Sequence, residues 1–147
     1  MEQATSLARF LEAQKNVFET ACAELEAGCK RTHWMWFVFP QLRGLGRSQT
    51  AHFYGIANPD EARAYLADPV LGARLRHCVR LLLRHRDKPI RAILGSPDDQ
   101  KSRSCLTLFE AIADDPRDRA LFAEALDVFH GGARDSRTLA MLEGERA

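Results

Sequence analysis

Both tryptophans of this chain lie in one short aromatic block, residues 34–39, which also holds two phenylalanines. Indole rings stack on planar ligands, and an amine or imidazole beside them can add a hydrogen bond. Trp34 and Trp36 could therefore form the wall of a pocket, with Lys30 and His33 as donors. The alternative is that the block anchors the hydrophobic core, because large aromatic side chains dominate interior burial.

A glycine turn follows the block, with Gly44 and Gly46 on either side of Leu45 and with Arg47 and Ser48 behind them. Backbone N–H groups in such a turn, at the start of a helix, can bind an anion, and an arginine adds charge. The turn lacks the third glycine of a dinucleotide fingerprint and the Gly-Lys-Ser/Thr of a Walker loop. The alternative is that the glycines only turn the chain and that Ser48 caps the next helix.

A second polar cluster comprises Asp98, Lys101, Ser104 and Thr107, just before Phe109. A carboxylate, an amine and hydroxyl groups in one short stretch could supply a base, an electrophile and a nucleophile. In the alternative interpretation the acid lies at a helix N-terminus, where it complements the helix dipole, and the hydroxyls cap the next helix.

The cysteines favour reduced thiols over a metal site. Cys22, Cys29 and His33 would share one face of an unbroken helix, but Gly28 is expected to end that helix and no fourth ligand stands out. The chain has no C-x-x-C spacing. We therefore predict no metal site, and the sequence assigns no cofactor.

Three arginines, Arg76, Arg80 and Arg84, recur every four residues and would form a stripe on one helix face. Such a stripe could touch RNA or another polyanion. The formal net charge is only +1, and residues 110–127 are acidic. The alternative is therefore a solvated face whose charges are paired across the fold, and we do not expect a nucleic-acid partner.

Helix signals dominate the elements that must position these residues. Apolar residues repeat at helical spacing from Leu7 to Leu25, with Gly28 as a stop, and no sustained polar–apolar alternation indicates a strand. Four segments begin with a capping side chain followed by proline, a pair that suits the first turn of a helix. They are Asn58-Pro59, Asp68-Pro69, Ser96-Pro97 and Asp115-Pro116. The sequence predicts an all-α fold, a compact single-domain bundle of about seven or eight short helices.

The aromatic block itself is compatible with a strand, since Trp, Phe and Val are good strand formers. Thr32, however, is a suitable N-cap, and the residue before Pro40 avoids the helical region. We therefore predict a short buried helix that ends near Val38.

At 147 residues, with 46% hydrophobic and 28% charged side chains, the chain has the size and composition of one globular domain, expected to span residues 1–147. No apolar run approaches the roughly 18 residues that a transmembrane helix requires. The first residues show no secretory signal. We therefore expect a cytoplasmic protein that does not enter a membrane.

Several motifs in this chain together match the pattern of one protein family. They are Arg9-Phe10, His33-Trp34-Met35-Trp36-Phe37-Val38-Phe39-Pro40-Gln41-Leu42, Gly44-Leu45-Gly46-Arg47-Ser48, Tyr54 with Ile56, Leu71-Gly72, Asp98-Asp99 with Lys101, and Ser104 with Thr107-Leu108-Phe109. Over nearly its whole length the chain resembles DUF1810, a family of small bacterial proteins of unknown function, some of which carry a calpastatin-like label. The resemblance implies a compact, mostly helical domain and no established activity, cofactor or substrate. The chain departs from the family pattern at Cys105, where a second serine is usual.

The two polar stretches, residues 30–48 and 98–109, are expected to meet in one pocket. A phosphate-bearing or nucleotide-like small molecule is the ligand that aromatic rings, a glycine turn and basic side chains favour. His33, Asp98 and Lys101 are candidates for proton chemistry, and enzyme status stays open. The alternative is a protein-interaction module of packed helices without catalytic activity. The residues predicted to bind the ligand are Lys30, His33, Trp34, Trp36, Gln41, Gly44, Gly46, Arg47, Ser48, Lys101, Ser104 and Thr107.

Overall fold

The computed structural model describes residues 2–146, with side chains described from residue 7 to residue 144. Over these residues it has ten helices and no strand: α1 Glu2–Gln14, α2 Phe18–Ala27, α3 Met35–Val38, α4 Gln49–Tyr54, α5 Pro59–Ala67, α6 Leu71–Leu83, α7 Ile90–Leu94, α8 Asp98–Ile112, α9 Pro116–His130 and α10 Ser136–Arg146. The predicted all-α fold is confirmed, although the predicted number of helices was too low. No helix in this part of the chain is both long and apolar enough to cross a membrane.

One reason for the higher helix count is a break in the first predicted helix. The apolar repeat from Leu7 to Leu25 is divided at residues 15–17 into α1 and α2. Helical periodicity does not reveal such a change of direction, because each half keeps its own apolar face. Gly28 ends α2 as predicted, at a φ of 73°, where a residue without Cβ meets no steric penalty.

The proline-marked helix starts are confirmed in two of four cases. Asn58 and Asp115 each accept a hydrogen bond from a backbone N–H in the first turn of the following helix. Asp68 Oδ1 accepts hydrogen bonds from Val70 N and Leu71 N, but α6 begins only at Leu71, later than predicted. Helix α8 begins at Asp98 without a side-chain cap, so the predicted capping role of Ser96 is wrong.

The aromatic block forms the predicted short helix, α3, and most of it belongs to the core. Trp34, not Thr32, occupies the N-cap position. Trp34 is 0% exposed and Phe39 is 1% exposed, whereas Trp36 remains half-buried. Residues two apart on a helix point to opposite sides, so when the first indole enters the core the second faces outward.

Helix α8 lies at the centre of the bundle and packs against α5, α7, α9 and α10. Its Phe109 ring lies 5.5 Å from the Tyr65 ring and 6.1 Å from the Phe122 ring, between centroids. Buried aromatic contacts of this kind hold the helix firmly. The first turn of α8, with Asp98 and Lys101, is therefore presented at a fixed place on the surface.

A buried hydrogen-bond network joins α1, α3, α5 and α6. Gln14 Nε2 donates to the Phe37 carbonyl at 2.6 Å and to Tyr65 Oη at 3.1 Å, and Gln14 Oε1 accepts from Arg74 Nη1 at 3.3 Å. Tyr65 is 0% exposed, and this burial raises the pKa of its hydroxyl. A buried polar network favours one unique fold only when all its members are hydrogen-bonded. Here Gln14 is the residue to which the Phe37 carbonyl, Tyr65 and Arg74 are all bonded.

Replacing Gln14 by leucine should lower the free energy of unfolding by about 2–4 kcal/mol, because buried partners left without hydrogen bonds each cost about 1–3 kcal/mol. Tyr65→Phe should cost only about 1 kcal/mol, since Gln14 still bonds the Phe37 carbonyl. Equilibrium urea unfolding measures both changes. Gln49, exposed on α4, provides the matched control: Gln49→Leu should change stability by less than about 0.5 kcal/mol. A Gln14 variant as stable as this control would contradict the structural role.

Candidate functional site

The carboxylate of Glu24, on α2, fixes the segment that leads into the aromatic block. Its Oε1 accepts hydrogen bonds from Arg31 N at 2.8 Å, Thr32 N at 3.0 Å and Trp34 Nε1 at 2.9 Å. Its Oε2 accepts one from Thr32 Oγ1 at 2.7 Å. Burial disfavours the charged form, but these hydrogen bonds outweigh it and lower the pKa of Glu24 to about 2.

Lys30 connects this segment to α7 and α8. Its backbone N–H donates to the Ile93 carbonyl at 2.7 Å, and its Nζ donates to the Thr32 carbonyl at 2.6 Å. The same Nζ lies 2.9 Å from Asp98 Oδ2 and 5.1 Å from the centre of the Trp34 ring. With its side chain only 8% exposed, Lys30 holds Asp98 in place and is itself little accessible.

Asp98 lies between two ammonium groups. Its Oδ1 is 3.7 Å from Lys101 Nζ, which also lies 4.7 Å from the centre of the Trp36 ring. The Lys101 side chain is 23% exposed, more than that of Asp98 or Lys30. Residues from the two predicted stretches are thus in direct contact, and Lys101 is the most exposed of these three charged side chains.

A cavity of about 260 Å³ opens beside Lys101, between the turn after α3 and the first turns of α8 and α10. Four of the predicted ligand-binding residues line it: Gln41, Gly46, Lys101 and Ser104. A Cβ on Gly46 would collide with the Ala51 side chain, so glycine allows the turn to pack at this edge. The complete lining is Gln41, Leu45, Gly46, Pro97, Gln100, Lys101, Ser104, Asp135 and Arg137.

Asp135 and Arg137 line the cavity without having been predicted as site residues. Asp135 Oδ2 caps α10 by accepting from Thr138 N at 2.9 Å and from Thr138 Oγ1 at 2.6 Å. Asp135 N donates to Thr107 Oγ1 at 3.0 Å, which fixes the start of α10 against α8. The sequence signal that was available, a capping residue before an apolar repeat, marks a helix start and gives no hint of a cavity.

Several other predicted residues lie outside the cavity. Trp34 is buried with its N–H bonded to Glu24, so its ring does not line the cavity. Thr107 is buried, and its hydroxyl accepts from a backbone N–H. His33 is exposed on the segment before α3. Gly44, at a φ of 102°, turns the chain.

Arg47 and Ser48 face a different surface, a wide depression of about 720 Å³ along α4. Ser48 Oγ accepts a hydrogen bond from Ala51 N at 3.0 Å, as the capping alternative predicted. Of the glycine turn, Gly46 therefore lines the cavity beside Lys101, whereas Arg47 does not. An anion held at once by Arg47 and Lys101 is not supported by this arrangement.

Two of the three arginines of the stripe, Arg76 on α6 and Arg84 just after it, have acidic partners on other helices, and Arg80 is exposed. Arg76 Nε donates to Asp118 Oδ1 at 2.7 Å, and Arg84 Nη1 lies 3.9 Å from Glu26 Oε1. These contacts agree with the alternative of a solvated face with paired charges. Across the part of the chain that the structure describes, no three His, Cys, Asp or Glu side chains group so that they could hold a metal ion.

Comparisons with known proteins place the chain among proteins without an assigned activity. The family model described as "Protein of unknown function (DUF1810)" matches residues 4–142. The chain is also similar to the crystal structure of a conserved hypothetical protein from Mycobacterium tuberculosis, with 47% sequence identity and a TM-score of 0.89. That match covers 93% of this chain and 96% of the other. No curated protein matches the sequence.

Glu24→Gln tests the carboxylate that fixes the segment before α3. The folded pKa of Glu24, about 2, lies below the value of about 4.3 in an unfolded chain, so the ionised form stabilises the fold at higher pH and this contribution is lost as the pH falls from about 4.3 toward 2. Near neutral pH the variant should be less stable by about 1–2 kcal/mol.

Unfolding of both proteins at several pH values measures this difference, which should shrink on acidification. Glu12, exposed on α1, gives the matched control, and Glu12→Gln should show no comparable loss at neutral pH. A difference between wild type and Glu24→Gln that stays constant down to about pH 2 would contradict a charge-based role.

Proposed function

We propose that this chain, which belongs to the DUF1810 family of proteins of unknown function, binds a small phosphate-bearing molecule in the cavity beside Lys101. The observation that carries the proposal is the lining: two cationic side chains, Lys101 and Arg137, lie together with amide and hydroxyl donors. Phosphate oxygens accept hydrogen bonds from donors of these types, and charged donors make the strongest ones.

The polar groups around the cavity support an anionic ligand. Ser104 Oγ donates to the Gln100 carbonyl at 3.4 Å, a long bond that a better acceptor could replace. Asp135 is the one carboxylate of the lining, and its Oδ2 already accepts two hydrogen bonds at the start of α10. The positive charge of Lys101 and Arg137 therefore exceeds the negative charge at the cavity wall.

The size of the cavity favours a small ligand. Its volume of about 260 Å³ lies just below the range of about 300–1,000 Å³ typical of sites for drug-sized molecules. Lys101 Nζ lies over the Trp36 ring, so this ring positions the ammonium group and offers that face to no base. We therefore favour a sugar phosphate over a nucleotide.

The proposal assigns binding, and no catalytic step. Of the three candidates for proton chemistry, only Lys101 lines the cavity. Asp98 is engaged with two ammonium groups, and His33 is exposed on the segment before α3. In the proposed complex Asp98 and Trp36 orient Lys101 towards the ligand.

A protein-interaction module is the second candidate, and one observation favours it. Phe53 on α4 is 54% exposed and borders the wide depression of about 720 Å³. Exposed aromatic side chains are common anchors in protein interfaces. Under this alternative Phe53→Ser would abolish the pull-down of a partner, whereas Lys101→Gln would leave it unchanged.

A thermal-shift experiment tests phosphate binding. We expect a pentose or hexose phosphate at about 100 times its Kd to stabilise the protein by about 2.7 kcal/mol, which raises Tm by about 5–10 °C. The matching unphosphorylated sugars should give no shift. Inorganic phosphate and a mononucleotide complete the panel, and the size argument predicts that the mononucleotide binds more weakly than the sugar phosphate.

Lys101→Gln and Arg137→Gln should each weaken binding by about tenfold or more, because each removes a charge-assisted hydrogen bond. Lys15, exposed between α1 and α2, gives the matched control, and Lys15→Gln should leave the Kd unchanged. Isothermal titration of the three variants measures these constants. Equal shifts with phosphorylated and unphosphorylated sugars, or equal affinities for all three variants, would overturn the proposal.

A further inference from the structure

Helices α2 and α6 lie side by side, run in the same direction and keep a fixed register. Near the start of α2, the Phe18 ring packs under the Arg74 guanidinium, with Cζ 4.6 Å from the ring centre. Just past the end of α6, His85 Nε2 lies 2.9 Å from the Glu26 carbonyl oxygen. Contacts at both ends therefore hold the helices against sliding or rotation.

Cys22 and Cys78 occupy the layer between these two contacts. Cys22 follows Phe18 by four residues, and Cys78 follows Arg74 by the same number, about one helical turn in each case. The register of the helices therefore places the two thiols next to each other, and hydrogen bonding between them shifts the pKa values of both. Both are free, and Cys78 is fully buried whereas Cys22 is half-buried at the edge of the core.

The surroundings of the pair make the two thiols unequal. The hydrogen bond from Cys78 and the nearby Arg74 guanidinium lower the pKa of Cys22, against the effects of burial, Glu26 and Glu19. The same hydrogen bond and its own burial raise the pKa of Cys78. The thiolate is the reactive form of cysteine, and Cys22 has both the lowered pKa and the greater exposure, so it is the better nucleophile of the two.

We propose that Cys22 and Cys78 form a reversible dithiol–disulfide pair that is oxidised by hydrogen peroxide. The half-buried position of Cys22 gives the oxidant access, and the packed register of α2 and α6 gives Cys78 access to the product. This site is separate from the cavity beside Lys101, and it does not depend on ligand binding there.

The chemistry proceeds in two steps. The Cys22 thiolate attacks one peroxide oxygen, the O–O bond breaks, and the leaving hydroxide takes a proton to become water, which leaves a sulfenic acid on Cys22. The Cys78 sulfur then attacks the Cys22 sulfur, the S–O bond breaks, and the hydroxide leaves as water with the Cys78 proton. Two thiols and one peroxide thus give one disulfide and two waters, and a dithiol reductant restores both thiols.

The two remaining cysteines serve as internal controls. Cys29 is exposed at the end of α2, and Cys105 is fully buried on α8, where burial raises the pKa of its thiol. Simple exposure would make Cys29 the first cysteine to oxidise, and the pair geometry instead predicts a specific link between Cys22 and Cys78.

Peptide mapping of the peroxide-treated wild-type protein under non-reducing conditions tests the link. Cleavage after glutamate separates Cys22 from Cys29, because Glu24 lies between them, and cleavage after arginine releases Cys78 in a short peptide. We expect a disulfide-linked peptide pair containing Cys22 and Cys78, lost on treatment with dithiothreitol and retained in Cys29→Ser. In Cys78→Ala, trapping of sulfenic acid on Cys22 by dimedone should rise severalfold, because no second thiol resolves it.

The wild-type map decides the question even where Cys78→Ala does not fold. Oxidation of Cys29 with Cys22 and Cys78 both still reduced would overturn the proposal. So would a Cys22 that passes to the sulfinic acid without forming the link, since the second thiol would then be out of reach. A link between Cys78 and Cys105 would also overturn it.

Discussion

Four hydrogen bonds converge on the Glu24 carboxylate, from two backbone N–H groups, a hydroxyl and an indole. The chain leaves α2 through a tight turn there, and the carboxylate satisfies donors that the turn would otherwise leave without partners. Its indole bond fixes the direction in which Trp34 enters the core. Phe37, Val38 and Phe39 of the aromatic block are then buried in the core as well, whereas Trp36 lies half-buried on the outer side of α3.

The same constraint positions the charged groups of the candidate site. Thr32, held by Glu24, presents its carbonyl to Lys30 Nζ, and Lys30 in turn lies 2.9 Å from Asp98. Asp98 offsets the repulsion between the two ammonium groups, because its carboxylate lies within 4 Å of both and opposite charges attract. Lys101 is then held between this carboxylate and the Trp36 ring. The position of a surface ammonium thus depends on a carboxylate on α2.

Local signals gave correct predictions at several helix ends, although the caps predicted at Thr32 and Ser96 were wrong. The capping roles of Asn58, Asp115 and Ser48 follow from a side chain and the backbone a few residues ahead, so they could be predicted from the sequence. The stop at Gly28 is of the same kind. The division of the first helix at residues 15–17 could not be predicted, because the apolar repeat continues across it.

By itself the sequence determined an all-α fold and identified two polar stretches, residues 30–48 and 98–109, as candidates for one site. Both results follow from helix periodicity, capping residues and residue chemistry, which are properties of short segments. Only the tertiary structure decided that Trp34 is fully buried and that Arg47 and Lys101 line different depressions. It also placed Asp135 and Arg137 in the lining of the cavity beside Lys101. The physical reason is that the face a side chain shows to solvent depends on which helices cover the other faces. Those neighbours, such as α10 against α8, come from distant parts of the chain.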